Sequence, residues 1–403
     1  MCKSADSCRY YYFFTYLCKK SSLVRFDNRK KLGILGGGQL GRMLIQAAID
    51  FDLTIKTLDP DSDAPCKYIS HEFVNGSLND YDTVMAFAQD CDIITIEIEN
   101  VSIEALEALE KQGKVVFPQP SVLRIIKDKR VQKQFYKAQN LPTADFVLTD
   151  NQAHSSTFGD FLPAVHKLGQ GGYDGKGVQV VRTAEDFPKA FDQPGVLEKM
   201  IDFEKELAVI VARNLEGETK TFPVVEMVFH PEANLVEYLF SPANISAEIE
   251  QKAEAIAVQT AEAMGIIGLL AVEMFLTKDG QILINEVAPR PHNSGHQSIR
   301  ANDVSQFEQH LRAILNLPLG STKAHSKAAM VNLLGEDGYT GEAIYEGMDE
   351  VLAVEGVHPF LYGKRFTKPF RKMGHITIID QDFEKLKEKV IFVKEKLKVI
   401  AKN

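Results

Sequence analysis

Between residues 31 and 116 the chain alternates two patterns. Residues 31–35, 53–58 and 92–98 are short aliphatic runs of the length of buried strands. Residues 40–49, 81–89 and 103–111 place apolar side chains at helical spacing. Strand–helix alternation of this kind predicts a parallel α/β sheet. Phe117-Pro-Gln-Pro-Ser121 breaks the pattern and predicts a domain boundary near residue 120. Residues 121–320 mix helices with strand-like stretches at 178–181, 206–212 and 220–228, and end in the linker-like Leu317-Pro-Leu-Gly-Ser-Thr-Lys323. Residues 321–403 carry short strands and a last amphipathic helix whose lysines and glutamates form a solvated face. Residues 1–30 follow neither period. They are basic, contain Tyr10-Tyr-Tyr-Phe-Phe14, lack a small-x-small cleavage site, and read as a disordered extension.

Composition narrows the class. A chain of 403 residues is long for one hydrophobic core, so two or three domains are expected. The net charge of −9 argues against non-specific nucleic-acid binding, which needs a cationic surface. No apolar run is long enough for a membrane span. Five cysteines without a C-x-x-C pair fit a reduced, cytoplasmic protein without a cysteine zinc site. Any anionic substrate must therefore be drawn in by local clusters of Lys and Arg.

Five stretches carry chemistry. Gly36-Gly-Gly-Gln-Leu-Gly41 matches G-x-G-x-x-G between a strand and a helix, and Asp59 ends the next strand, where a dinucleotide fold keeps its ribose-binding acid. That pattern allows an NAD-dependent oxidoreductase, but helix N-termini bind many phosphates. In Leu168-Gly-Gln-Gly-Gly-Tyr-Asp-Gly-Lys-Gly177, the glycines free backbone N–H groups to approach an anion, and Lys167 and Lys176 add charge. Glu273 and Glu286 flank Asp279-Gly280, a two-residue hairpin turn; counting back from it sets the two carboxylates directly opposite. A hairpin keeps such a pair when a cation sits between them, and oxygen ligands favour Mg²⁺ or Mn²⁺ over zinc. Val287-Ala-Pro-Arg-Pro-His-Asn-Ser-Gly-His296 is a donor-rich loop expected to contact substrate. Finally, residues 362–375 gather Lys364, Arg365, Lys368, Arg371 and Lys372 beside Gly374, which suits a phosphate cradle.

Together these motifs resemble the ATP-grasp superfamily and, more narrowly, the 5-(carboxyamino)imidazole ribonucleotide synthetases of de novo purine synthesis. The resemblance rests on Gly36–Arg42, Gly171–Gly177, Asn285–His296 and Arg371–His375. It implies three domains: a Rossmann-like N-terminal domain (31–120), an ATP-clamping domain of two α+β halves (121–320) and a small β-rich C-terminal domain (321–403). It also implies ATP on Lys129, Lys167, the loop Gly171, Gly172, Tyr173, Asp174, Gly175, Lys176 and Gly177, the adenine hinge Glu198, Lys199, Met200 and Ile201, the ribose-binding Glu206, and Asn285. Glu273 and Glu286 carry the metal, while Tyr173, Asp174, Lys176 and Arg290 serve catalysis. Gln39, Glu97, His292, Asn293, Ser294, His296, Lys364, Arg371 and Lys372 hold aminoimidazole ribonucleotide (AIR). The implied reaction joins AIR to bicarbonate at the expense of ATP, in a homodimer. Other ATP-grasp ligases, acting on formate or biotin, are the nearest alternatives.

Overall fold

The computed structural model describes residues 26–172, 177–230 and 235–402. β1 (Lys31–Leu35), β2 (Thr54–Asp59), β3 (Glu72–Asn75), β4 (Ile93–Ile96) and β5 (Val115–Val116) form a parallel sheet in the order β3-β2-β1-β4-β5. α1 (Gln39–Ile49) connects β1 to β2 and buries Leu40, Met43, Leu44 and Ile45. The strand order reverses between β1 and β4, the place where such sheets leave a crevice at the carboxyl ends of their strands. Gly36 and Glu97 follow these two strands, so they meet there.

After α2 (Lys129–Ala138), β6 (Phe146–Thr149), β7 (Ala164–Leu168), β8 (Val178–Val181) and β9 (Gly195–Lys199) make an antiparallel sheet ordered β6-β9-β7-β8. Residues 200–202 then pass directly into a second, larger sheet. Its strands are β10 (Phe203–Arg213), β11 (Thr219–Thr221), β12 (Val225–Phe229), β13 (Val236–Ser241), β14 (Gly268–Thr277), β15 (Ile282–Ala288) and β16 (Lys327–Leu334). Phe222-Pro-Val224 splits the expected strand at 220–228 into β11 and β12, because proline cannot donate to a ladder.

β10 and β14 are nearly continuous in buried aliphatic residues because both faces of the sheet are covered. On one face, Leu207, Val209 and Val211 meet α3 (Ala247–Met264) through Ala253, Ala257 and Ala261. On the other, Ile210, Ala212 and Leu269 pack with Ala313 of α4 (Gln306–Ile314). α4 also reaches the N-terminal sheet, where Phe307 and Leu311 join the α1 core and His310 Nε2 lies 3.0 Å from the Thr95 hydroxyl.

β17 (Gly341–Glu346), β18 (Val357–Leu361), β19 (Phe366–Thr367), β20 (Lys372–Asp380), α5 (Phe383–Lys396) and β21 (Lys398–Ala401) complete the chain. β16 pairs with β13 on one side and β20 on the other. The ladder therefore runs β15-β14-β10-β12-β13-β16-β20-β18, straight through the boundary expected near residue 320. Among the described residues, no helix is long and apolar enough to cross a membrane.

Candidate active site

The hairpin between β14 and β15 sets Glu273 opposite Glu286, as the residue count requires, but by a different route. The turn is one residue longer than expected: Thr277 N donates to Gln281 O at 3.0 Å, leaving Lys278, Asp279 and Gly280 as the loop. Gly280 takes φ +79°, a left-handed conformation that glycine adopts without a Cβ penalty. The ladder consequently pairs Leu276 with Ile282 and Met274 with Ile284, one position off the count. A bulge then sets Asn285 and Glu286 together against Glu273, and the offset is cancelled. The extra residue also frees Asn285 and Glu286 from strict alternation between faces. Asn285 Oδ1 accepts from Lys167 Nζ at 2.8 Å, and Glu286 Oε2 accepts from Lys129 Nζ at 2.5 Å.

Electrostatics follow from this geometry. Burial, then the neighbouring charges of Glu286 and Glu206, push Glu273 well above the usual carboxylate range. The Lys129 ammonium holds Glu286 below it. Glu206, on β10 in the same acidic group, is pushed up to about 7, chiefly by burial. Three carboxylates on adjoining strands thus lack enough positive charge to ionise together.

The lysines come from the smaller sheet and its helix. Asp128 caps α2 by accepting from Arg130 N and also takes the Arg130 guanidinium, so Lys129 rather than Arg130 reaches the acidic pair. Lys167, from β7, bonds Glu198 Oε2 at 3.1 Å as well as Asn285. Sequence reasoning missed Lys133, which is 1% exposed and donates to Glu198 Oε2 at 3.1 Å and to Thr143 Oγ1 at 2.6 Å. Its signal was available: Lys129, Lys133 and Tyr136 share one helical face. Burial pulls Lys133 down to about 8 despite the opposing pull of Glu198. Glu198 is the last residue but one of β9; Lys199, Met200 and Ile201 then bridge the two sheets at the position expected of the hinge. Lys199 Nζ is spent on the carbonyls of Phe161 and Leu162.

The β7–β8 hairpin carries the glycine-rich loop at its tip. Gly171 and Gly177 take φ +80° and +78°, and the two arms close so tightly that a Cβ on Gly177 would meet Gly172 Cα at 2.9 Å. Tyr173, Asp174, Gly175 and Lys176 lie outside the described residues, as do residues 1–25 of the N-terminal extension.

In the loop after β15, Arg290 Nε pairs with Glu99 at 2.9 Å, tying the loop to the N-terminal domain. His292 Nε2 lies 3.3 Å from Glu273 Oε1, with its Nδ1 held by Ser294 Oγ at 2.9 Å. Ser294 and His296, expected to contact substrate, are each 1% exposed. His296 bonds Gln306 and packs at a tilt against His375 with ring centroids 4.8 Å apart, so it braces the loop from inside. The Asn293 and Asn332 amides exchange two bonds, of 2.9 and 3.0 Å, which fastens the loop to β16.

The first glycine loop is corrected most. Both Glu97 oxygens accept from the nest, from Gly38 N at 2.5 Å and Gly41 N at 2.6 Å, and Asp59 accepts from Gly37 N at 2.6 Å. The protein's own carboxylates fill the seat a dinucleotide's pyrophosphate would need, and Asp59 is turned inward rather than toward a ribose. Glu97 is therefore committed to the loop in this arrangement, with half-buried Gln39 opening α1 beside it.

At the C-terminal end, Lys364 Nζ donates to Lys372 O at 2.8 Å and Arg371 Nη1 to Phe366 O at 2.6 Å. Lys372 lies close enough to Glu273 for its charge to oppose that residue's raised proton affinity. Gly374 is not part of a cradle. It sits within β20 opposite Leu361, where a Cβ would meet the Phe360 carbonyl at 2.7 Å.

Carboxylates, lysines and a glycine-tipped hairpin between two antiparallel sheets match the comparisons with known proteins. Residues 134–307 match the ATP-grasp domain, residues 29–127 the ribonucleotide synthetase preATP-grasp domain and residues 328–389 the phosphoribosylaminoimidazole carboxylase C-terminal domain. The N5-carboxyaminoimidazole ribonucleotide synthase of Bacillus subtilis (strain 168) is 38% identical over 357 residues, covering 87% of this chain and 91% of that protein. The chain belongs to the N5-carboxyaminoimidazole ribonucleotide synthase family. The synthetase of this family from Thermotoga maritima shares the fold at a TM-score of 0.86 and 40% identity, over 93% of this chain and all (100%) of that one. The synthase from Aspergillus clavatus, solved with ADP and 5-aminoimidazole ribonucleotide, gives a TM-score of 0.84 at 32% identity, over 91% and 99% of the two chains. Family membership and the Glu97-filled nest together set aside the oxidoreductase reading.

Proposed function

We propose that this chain is an ATP-dependent carbon–nitrogen ligase that carboxylates the amine of AIR, giving 5-(carboxyamino)imidazole ribonucleotide, ADP and phosphate in purine biosynthesis. Bicarbonate is the carboxyl source. One observation carries the reading: opposed Glu273 and Glu286 lie against Lys129 and Lys167, at the junction of the two ATP-grasp sheets.

A bicarbonate oxygen attacks the γ-phosphorus of ATP, the bond to ADP breaks, and carboxyphosphate forms. Charge spreads over the transferring oxygens, so catalysis is mainly positioning and neutralisation. Lys129 and Lys167 supply positive charge, and the glycine loop closes from the β7–β8 hairpin. The AIR amine then attacks the carboxyl carbon, phosphate leaves, and the nitrogen gives up a proton, for which Asp174 is the candidate acceptor. Arg290, held by Glu99, and His292 face the reacting groups. Lys364, Arg371 and Lys372 provide positive charge for the AIR phosphate.

The donor set also fits Mg²⁺ or Mn²⁺. Its ligands are hard oxygens, and Glu273 binds a proton strongly because it is buried beside the charges of Glu286 and Glu206. Glu273 and Glu286 would hold the ion, with Asn285 adjacent; bound there, it would offset phosphate charge. Homodimeric assembly rests on the resemblance and a cytoplasmic location on the cysteine pattern; sedimentation of the purified protein tests the first.

The deciding experiment measures ADP release from Mg-ATP with bicarbonate, with and without AIR. AIR-stimulated release that formate cannot replace is expected. Release driven by formate, or none with any carboxyl source, overturns the reading.

A further inference from the structure

The buried lysine on α2 shares its acid with a second lysine and bonds beyond it. Glu198 is 4% exposed, and Lys133 and Lys167 both pair with its Oε2 at 3.1 Å. Burying two ammonium groups around one carboxylate costs desolvation that a shared acceptor offsets only in part. What Lys133 adds is a second bond, to Thr143 Oγ1 at 2.6 Å. That hydroxyl donates in turn to the carbonyl of Ile284 at 2.8 Å, the residue immediately before the bulge. The backbone follows the same path, for Ile284 N donates to Pro142 O at 2.8 Å and Thr143 bridges Ile284. One ammonium therefore joins β9, in the smaller sheet, to the start of the bulge on β15, in the larger.

We propose that Lys133 is a positioning residue for the nucleotide: it fixes Glu198 and, through Thr143, the Asn285–Glu286 bulge, so that the two halves of the clamp hold their charged groups in register. It also remains as the counter-ion of Glu198 when Lys167 turns to the phosphates. The inference rests on the ATP-site reading above, but not on the identity of the carboxylated substrate.

Lys133→Met keeps the unbranched side chain up to the position of the ammonium, removes its charge, and leaves the Lys167–Glu198 pair. Thr143→Val keeps Lys133 on Glu198 and cuts only the relay. Titration calorimetry with Mg-ADP reads the site without turnover, and steady-state kinetics read ATP and AIR separately. Loss of a charge-assisted bond predicts that the Kd for ADP and the KM for ATP rise about tenfold in Lys133→Met. Thr143→Val should raise them about threefold, and the double variant should be no worse than Lys133→Met, because both act on one path. The KM for AIR stays within about twofold, the mark of an effect confined to the nucleotide. Unchanged ADP affinity in folded variants, or a parallel rise in the KM for AIR, overturns the proposal. If Lys133→Met does not fold, Thr143→Val decides alone. A parent protein that binds ADP but does not consume AIR defeats the proposed reaction and leaves the calorimetric comparison valid.

Discussion

Glu286 is the residue on which the acidic pair and the lysines converge. Glu286→Gln removes the charge that holds Lys129 and turns one carboxylate oxygen of the acidic pair into an amide nitrogen. ADP formation should fall at least about a hundredfold, the scale of losing one preorganised electrostatic contact. The circular-dichroism spectrum should be unchanged, since the ladder does not depend on the side chain. Glu206 carries a pH signature. Its value rises from an ordinary 4.5 to about 7 in the folded state, first through burial, against the pull of Lys167. Between those values the folded form binds more protons than the unfolded one, so this group's contribution is complete below about 4.5 and is lost as pH rises through 7. Ligand-free protein should therefore lose thermal stability from pH 5 to 8, and Glu206→Gln should flatten that slope. A Tm that climbs over this range in parent and variant alike would contradict the assignment.

Among the elements, the β14–β15 hairpin teaches most. The facing of Glu273 and Glu286 was legible because a tight turn sets a count. The route was not, because one residue more in the turn and one in the strand leave the same pairing beyond them. Deleting Asn285 should accordingly preserve the fold and keep the carboxylates opposed. Lys167 loses one of its two acceptors, so the KM for ATP should rise at least about tenfold while Tm moves by only a few degrees. A deletion variant that unfolds would show that the bulge is a requirement of the sheet. Periodicity found β1 and the helix at Ile103–Lys111 to the residue, since the strand is buried along its length and the helix buries one stripe. It missed Glu72–Asn75, four residues of mixed exposure with nothing periodic to read. The face of Lys133 was legible beside Lys129, but what Glu97 and Lys133 bond to was hidden for another reason. Their partners lie far along the chain, and local spacing carries no trace of which carboxylate will occupy a nest.

For the molecule as a whole, composition shifts near residues 120 and 320 marked three regions, and the family matches fall in the same order. Hydrogen bonding divides the chain differently, because β16 and β20 extend the central sheet. A chain ending at residue 320 would bare the edge of β13 along with the apolar face that α5 covers, and exposed edges of that kind aggregate. Such a truncation should be insoluble or markedly less stable, whereas two independent domains would leave it folded. Five ladder steps separate β14 from β20, roughly 24 Å across a flat sheet. Yet the charge of Lys372 is felt at Glu273. The sheet must curl like a cupped hand, with palm and fingertips cut from one hydrogen-bonded fabric. Anything gripped between them is gauged by the curvature of that fabric, and a strain introduced at the fingertips is a strain on the palm.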